Sequence, residues 1–471
     1  VLPSIQRILA DFAAGRSTPV EILARCHAAI DRFDGSLNAL PTQLDRDACR
    51  AQAQRIGTAI ARGEAVGPLA GLPYVAKDIF DTAGVRTTLG SPLFADRVPT
   101  ADSPIVARLR AAGALLIAKS NTPEFAAGSQ TFNPVFGATR NPHDPSRTVG
   151  GSSGGAAAAL AAGMTVVADG SDLAASLRNP ASFCGVVGMR PSTRLDLPLS
   201  DVPNAFDLLS TVGPLGRSVD DVRIVREAIF EPPAPRPIAD WAARLAARPP
   251  SPEPRSLRLA WSADCGGVPL AAPVRAAFLR SIEALRAAGV GLVEACPDFA
   301  GADEAFMTLR GLYFVEWLGE LYETGRDRMK DTVVWNIEQG LALDAARIAR
   351  AQRLRSAVYR RTAAFMADVD AFLLPTVQVL PFPLDVPYPT QVEGVPLATY
   401  IDWLKTCYWI SASGHPAVSI PCGRARDGDS APLPVGLQLV GRWAQDARLL
   451  DVAETVERLL GPFNEPDAPV L

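Results

Sequence analysis

The sequence predicts an α/β fold, and three stretches carry that expectation. Ile105–Ala112 reads as helix and runs into a short apolar strand, Ala114–Ala118, that ends at Lys119. Leu257–Trp261, Val274–Ala288 and Val290–Glu294 read as strand, helix and strand. Phe372–Pro375, Ala417–Pro421 and Val435–Val440 read as late strands, closed by a helix over Ala444–Leu460. Alternation of this kind builds layers of helix on sheet.

The remaining elements follow in chain order. Residues 4–30 read as amphipathic helix, with Ile5, Ile8, Leu9 and Phe12 on one face. Ser17-Thr18-Pro19-Val20-Glu21 has the cap, early proline and first-turn acid that open a second helix. Gly71–Lys77 follows a Pro/Gly turn and reads as a strand. Residues 133–155 are a punctuated loop ending in Gly150-Gly151-Ser152-Ser153-Gly154-Gly155. An alanine-rich helix then runs to Ala162, and Val166–Ala168 is a brief strand. Gly170–Ala175 reads as loop and Ser176–Ala181 as a turn or short helix. Residues 229–256, rich in Pro and Arg, read as a surface excursion, and 303–368 as mainly helical. No internal repeat or low-complexity tract is present.

Bulk composition excludes several classes. The chain has 471 residues, 48% hydrophobic and 20% charged, which suits a globular protein with a large core. A net charge of −4 carries no basic footprint for nucleic acid. No run of about 20 apolar residues marks a membrane span. The seven cysteines lack any C-x-x-C pair and are odd in number, so free thiols in a reducing, cytoplasmic compartment are expected. The three histidines, His27, His143 and His415, are too few and too dispersed for a His-based metal centre, and no metal or cofactor is expected. The chain begins at Val1 rather than Met, and no signal peptide is visible.

Lysine usage singles out a residue. Of 46 basic residues only four are lysine: Lys77, Lys119, Lys330 and Lys405. Arginine cannot give up its proton in a protein, whereas a buried lysine can. Lys77 ends the apolar run Leu72-Pro73-Tyr74-Val75-Ala76. Two readings of it stand: a general base whose pKa is lowered by burial and nearby positive charge, or a strand-end cation paired with Asp78 or Asp81.

The Gly150–Gly155 run admits a flexible linker, a phosphate loop or a catalytic loop. The lysine of a phosphate loop is missing, and a linker would not run straight into an apolar helix. Glycines beside exposed hydroxyls at a helix N-terminus suit catalysis. Gly150-Gly151-Ser152-Ser153-Gly154 also satisfies G-x-S-x-G. That motif requires a central strand before it and a histidine after it. Asn141-Pro142-His143-Asp144-Pro145 will not form a central strand, and the only downstream histidine is His415, in a Gly-Pro turn.

The segment Asp169-Gly170-Ser171-Asp172-Leu173-Ala174-Ala175-Ser176-Leu177-Arg178-Asn179-Pro180 brings out a family resemblance. It joins Gly71-Leu72-Pro73 with Lys77-Asp78, Lys119-Ser120-Asn121 with Glu124, Asn133-Pro134 with Phe136-Gly137, and Asn141-Pro142. Gly213-Pro214 with Arg217, Leu374-Pro375-Thr376 and Pro434-Val435-Gly436 follow. In these motifs, and in the separations of 75 residues from Lys77 to Ser152 and 24 from Ser152 to Ser176, the chain resembles the amidase signature family of serine hydrolases. The resemblance covers nearly the whole chain and is densest over 64–195.

The resemblance implies a single amidase domain over 1–471, with a large, mixed, twisted sheet covered by helices on both faces. It implies Ser176 as the acyl-accepting nucleophile, Ser152, after a cis peptide, as the proton bridge, and Lys77 as the base. The N–H groups of Leu173, Ala174, Ala175 and Ser176 would form the oxyanion hole, and Ser153, Ser171, Asp172 and Arg178 would hold the loop and the lysine network. Ala174-Ala175 departs from the family's usual Gly-Gly. The donors survive this change, but positive φ does not come easily to alanine. For the substrate pocket the expected residues are Ala126, Gly128 and Ser129 within Phe125–Thr131, and Tyr313, Trp317 and Trp335 within 303–345. Trp403, Tyr408 and Trp409 are open between pocket and core. The expected activity is that of a bacterial amidase acting on a small-molecule amide. A homodimer is left open. The alternatives are the glutaminase subunit of a tRNA-dependent amidotransferase, or an acyl-transfer enzyme of the same family.

Overall fold

The computed structural model describes residues 2–193, 204, 206–428, 431–461 and 463. Residues 194 and 195, the end of the densest stretch of motifs, lie outside them.

Eleven strands form one sheet. In chain order they are β1 (Thr42–Gln43), β2 (Pro73–Lys77), β3 (Leu115–Ser120), β4 (Val167–Asp172), β5 (Val187–Arg190), β6 (Thr211–Gly216), β7 (Arg258–Trp261), β8 (Gly291–Glu294), β9 (Ala371–Pro375), β10 (Ala417–Ala425) and β11 (Leu433–Val440). Their spatial order is β1-β3-β2-β4-β6-β5-β10-β11-β9-β7-β8. β2 runs parallel to β3 and β4, and β7 parallel to β8 and β9. The central pairings between those groups are antiparallel, so the sheet is mixed as expected. Every residue of β2, β3 and β4 is buried, which requires cover on both faces. Helices supply it. Gly154–Ala161 packs against β2, β3 and β4, and Arg178–Cys184 against β5, β10 and β11.

Several elements differ from the sequence reading. The first helical stretch is two helices, Ile5–Ala13 and Pro19–Leu37, the second opened by a capping box between Thr18 and Glu21. Residues 46–61 form a helix that was not expected; only Cys49 and Ala53 are buried on it, so its apolar stripe is nearly blank. β4 extends through Asp172, where loop was expected from Gly170: pairing with β6 from Thr211↔Asp172 to Leu215↔Ala168 overrides the weak strand character of Gly170. The 133–155 loop contains two small hairpins, Phe132–Asn133 with Gly137–Ala138 and Arg140–Asn141 with Asp144–Thr148, both outside the main sheet. The 229–256 excursion holds a helix, Ile238–Ala246, that packs on the N-terminal helix through Trp241 and Leu245. The Trp241 indole donates to the Val66 carbonyl at 2.8 Å. Residues 303–368 are helical as expected, over Ala302–Gly325, Asp331–Leu341 and Ala345–Met366.

Candidate active site

β2 delivers Lys77 to the centre of the molecule. The side chain is wholly buried. Its Nζ donates to Ser152 Oγ at 2.8 Å and to Ser171 Oγ at 3.0 Å. No carboxylate pairs with it among the described residues. Asp78 instead accepts from Thr88, and Asp81 pairs with Arg97. Removal of the amine from water lowers its pKa from 10.5 to about 7, against the opposing pull of Asp169 and Asp172. Burial alone does this. The nearby positive charge that the sequence reading invoked is not among the causes, which corrects that expectation.

Ser152 follows a cis peptide bond at Gly151–Ser152. Thr131 Oγ1 donates to the Gly150 carbonyl at 2.8 Å, and Asn179 Nδ2 to the Gly151 carbonyl at 3.2 Å. Ser176 lies between β4 and the helix Arg178–Cys184. Its carbonyl accepts from Ser153 N at 3.2 Å, and its side chain lines the same cavity as Ser152 and Ser171. No hydrogen bond joins Ser176 Oγ to Ser152 Oγ. Ser153 contributes through its backbone; its hydroxyl is buried without a partner among the described residues.

Asp172 and Arg178 form a fully buried pair rather than a surface one. Arg178 Nε and Nη2 donate to the two carboxylate oxygens at 2.9 and 2.8 Å. Burial raises the Asp172 carboxyl, but Arg178 and Arg190 more than offset this and hold it below its ordinary value. Arg178 also donates to the Ala174 carbonyl at 2.8 Å, to Ser411 Oγ at 2.7 Å and to Gln438 Oε1 at 2.7 Å. It thereby ties the 173–176 loop to β11 and to the helix Lys405–Ser413. The N–H groups of Leu173, Ala174, Ala175 and Ser176 donate to no described residue. Neither alanine has positive φ, so the loop has ordinary dihedrals there. Ala174 lines the cavity, whereas Ala175 packs with Phe183, Leu209 and Phe306.

The cavity has a volume of about 170 Å³. Ala126, Gly128, Ser129, Tyr313 and Trp317 line it, together with Leu89, Phe125, Phe314 and Ile401. Leu89, Phe125 and Ala126 carry φ of 55°, 49° and 53°, a left-handed backbone that non-glycine residues seldom adopt. Trp335, Trp403, Tyr408 and Trp409 do not line it. Trp403 stacks on Phe183, Tyr408 on Phe306 and Trp409 on Phe299, and Trp335 meets Tyr400 edge-on. For Trp335 this corrects the pocket expectation. His415 bonds Ser413 and lies outside the cavity, so the serine–histidine arrangement has no base.

Residues that sequence reading passed over also act here. Asp169 accepts from the Lys77 backbone N–H at 2.7 Å and from the Tyr74 hydroxyl. Burial pushes its pKa up to about 6. Asn179 fixes Gly151, and Arg310 enters the cavity wall. Asp169 and Asn179 stand in the segment that carried the resemblance; nothing in local pattern marks Arg310. Among the described residues no group of His, Cys, Asp and Glu is placed to hold a metal ion, and no helix is long and apolar enough to cross a membrane.

Comparison with known proteins shows the family. A model of the amidase family matches residues 21–450. An acylamidase of Rhodococcus erythropolis is 32% identical over 96% of this chain and 94% of its own. The A subunit of glutamyl-tRNA(Gln) amidotransferase from Moorella thermoacetica is 35% identical over 92% of each chain. Among solved structures, an amidase covers 98% of this chain and 100% of its own at a TM-score of 0.85 and 30% identity. A bacterial aryl acylamidase of the amidase signature family covers 98% of this chain and 96% of its own at 0.84 and 25% identity. Matched along nearly its whole length in both sequence and fold, the chain belongs to the amidase signature family and is an amide-bond hydrolase of that family.

Proposed function

We propose that this chain, as one amidase domain, hydrolyses the C–N bond of a small carboxamide through an acyl-enzyme on Ser176. The observation that carries the reading is Lys77: a fully buried amine with no carboxylate partner among the described residues, bonded to Ser152 and poised near neutral pH.

The steps follow from that state. The Ser176 hydroxyl rotates to Ser152, a hydrogen bond that tightens when substrate is bound. Ser176 gives its proton to Ser152 as Ser152 gives its own to the neutral Lys77 amine. The freed Oγ bonds to the amide carbon, and the carbonyl oxygen takes the negative charge. The N–H groups of Leu173–Ser176, committed to no described residue, receive it; one such donor is worth about 10²–10³ in rate. Collapse breaks the C–N bond, and the proton returns from Lys77 through Ser152 to the leaving nitrogen. Water then adds to the acyl group with the same base, releasing carboxylate and restoring Ser176. Arg178, through Asp172 and the Ala174 carbonyl, keeps the loop in place.

The test uses the purified chain alone. An aryl fluorophosphonate labels Ser176, and simple amides are hydrolysed without added subunits. Labelling at Ser152 would overturn the assignment of roles. Hydrolysis that appears only with partner subunits and a tRNA would move the chain to the amidotransferase branch.

A further inference from the structure

Arg310 is an anomaly in the cavity wall. It lies on the helix Ala302–Gly325 and is 4% exposed. A buried guanidinium ordinarily pairs with a carboxylate, because an unpaired buried charge is costly. Arg310 has no such partner among the described residues. Its Nε donates to Asn336 Oδ1 at 2.9 Å and its Nη2 to the Tyr400 hydroxyl at 2.7 Å, both neutral acceptors. Asn336 Nδ2 donates to the same hydroxyl at 2.7 Å, closing a triangle that fixes the guanidinium plane. The Phe314 ring lies 4.9 Å from the guanidinium carbon. Nη1 makes no hydrogen bond to a described residue. Two carboxylates act on neighbouring Tyr313 without bonding Arg310: Asp207 accepts from the N–H groups of Leu209 and Ser210, and Glu316 from Asn204.

The rest of the wall does not neutralise it. Asp81 and Arg97 also line the cavity, but they pair with each other through two contacts of 2.5 Å. Among the described residues, therefore, no carboxylate pairs directly with this guanidinium, which stands in a wall with Leu89, Phe125, Phe314, Trp317 and Ile401. A guanidinium held by two of its nitrogens on neutral acceptors, in the wall of an apolar cavity, is suited to receive an anion.

We propose that Arg310 is a specificity-determining residue that binds a carboxylate on the substrate, so that the preferred amides carry an acidic group on an apolar body. The proposal rests on the amidase reading of the same cavity. Binding of the carboxylate supplies a direct ion pair that no described carboxylate gives Arg310. An amide whose remote end is a methyl group leaves the guanidinium buried and unpaired.

The experiment compares matched amides: succinamate with butyramide, glutaramate with valeramide, adipamate with hexanamide. At one or more lengths kcat/KM of the acid is expected to exceed that of its methyl partner. Arg310→Gln should cut that ratio about 10²-fold, as removal of one partner of a desolvated charge pair does, and Arg310→Lys should retain part of it. A preference for the methyl partner at every length, or an equal loss on both members in Arg310→Gln, overturns the proposal. A second measurement needs no turnover. Calorimetric binding of glutarate to Ser176→Ala should be lost on adding Arg310→Gln; binding that is absent in both, or equal in both, also overturns it. Failure of the amidase reading shows separately, as absence of fluorophosphonate label on Ser176.

Discussion

The pH dependence of turnover follows from the position of Lys77. In water the amine would hold its proton to pH 10.5; wholly buried, it gives it up near 7. That difference disfavours the charged form by about 5 kcal/mol. Only the neutral amine can accept a proton, so activity should follow its population: about a tenth at pH 6, about half at pH 7 and about nine-tenths at pH 8. kcat/KM on a neutral amide should thus rise about tenfold from pH 6 and level off above 8. A lysine with its solution pKa would instead give a rise of about a thousandfold between pH 6 and 9, with no plateau. Asp169→Asn refines the test. The carboxylate pulls the Lys77 pKa upward, so its removal should move the limb to lower pH. A flat profile from pH 6 to 9, or a limb that moves to higher pH in Asp169→Asn, would refute the neutral-lysine base. Stability carries the same signature. The folded pKa lies below the unfolded one, so the unfolded chain binds more protons between pH 7 and 10.5. The burden is therefore full below 7 and fades as pH rises through that window.

Two further outcomes are expected. Asp172→Asn leaves Arg178 and Arg190 buried without their carboxylate and should cost about 3–5 kcal/mol in urea unfolding; a loss under 1 kcal/mol would show that Gln438, Ser411 and the backbone carbonyls suffice. Ala174→Gly widens the cavity beside Ser176 without removing an N–H donor, so activity on a small amide should persist while bulkier amides gain, read as kcat/KM across a size series. Loss of all activity with the fold intact would place the alanine methyl in the machinery itself.

Much of the site was legible because its chemistry is rare in this sequence. With four lysines among 46 basic residues, an amine at the end of an apolar strand stands out. The segment 169–180 carried the rest through resemblance. What escaped was what depends on tertiary partners. β5 and β6 contain Gly188, Gly213, Pro214 and Gly216, which weaken any strand signal, yet pairing with β4 and β10 holds them. The aromatics after residue 300 look alike in sequence, but Tyr313 and Trp317 reach the cavity, whereas Trp335, Trp403, Tyr408 and Trp409 pack on other rings. Arg310 is one arginine among 42, and what sets it apart is its burial in the cavity wall on neutral partners.

The burial of Lys77 has a consequence for the life of the chain before it folds. The three residues of the proposed relay stand at positions 77, 152 and 176, and the amine is neutral only when the sheet around it has closed. On the ribosome, or after unfolding, Lys77 is a protonated surface amine and Ser176 an ordinary alcohol. With that relay, a nascent molecule is expected to be chemically silent toward amides until the sheet has assembled. The same dependence makes fluorophosphonate labelling of Ser176 a reporter of completed folding, with reactivity expected to return together with native packing during refolding rather than with early helix formation.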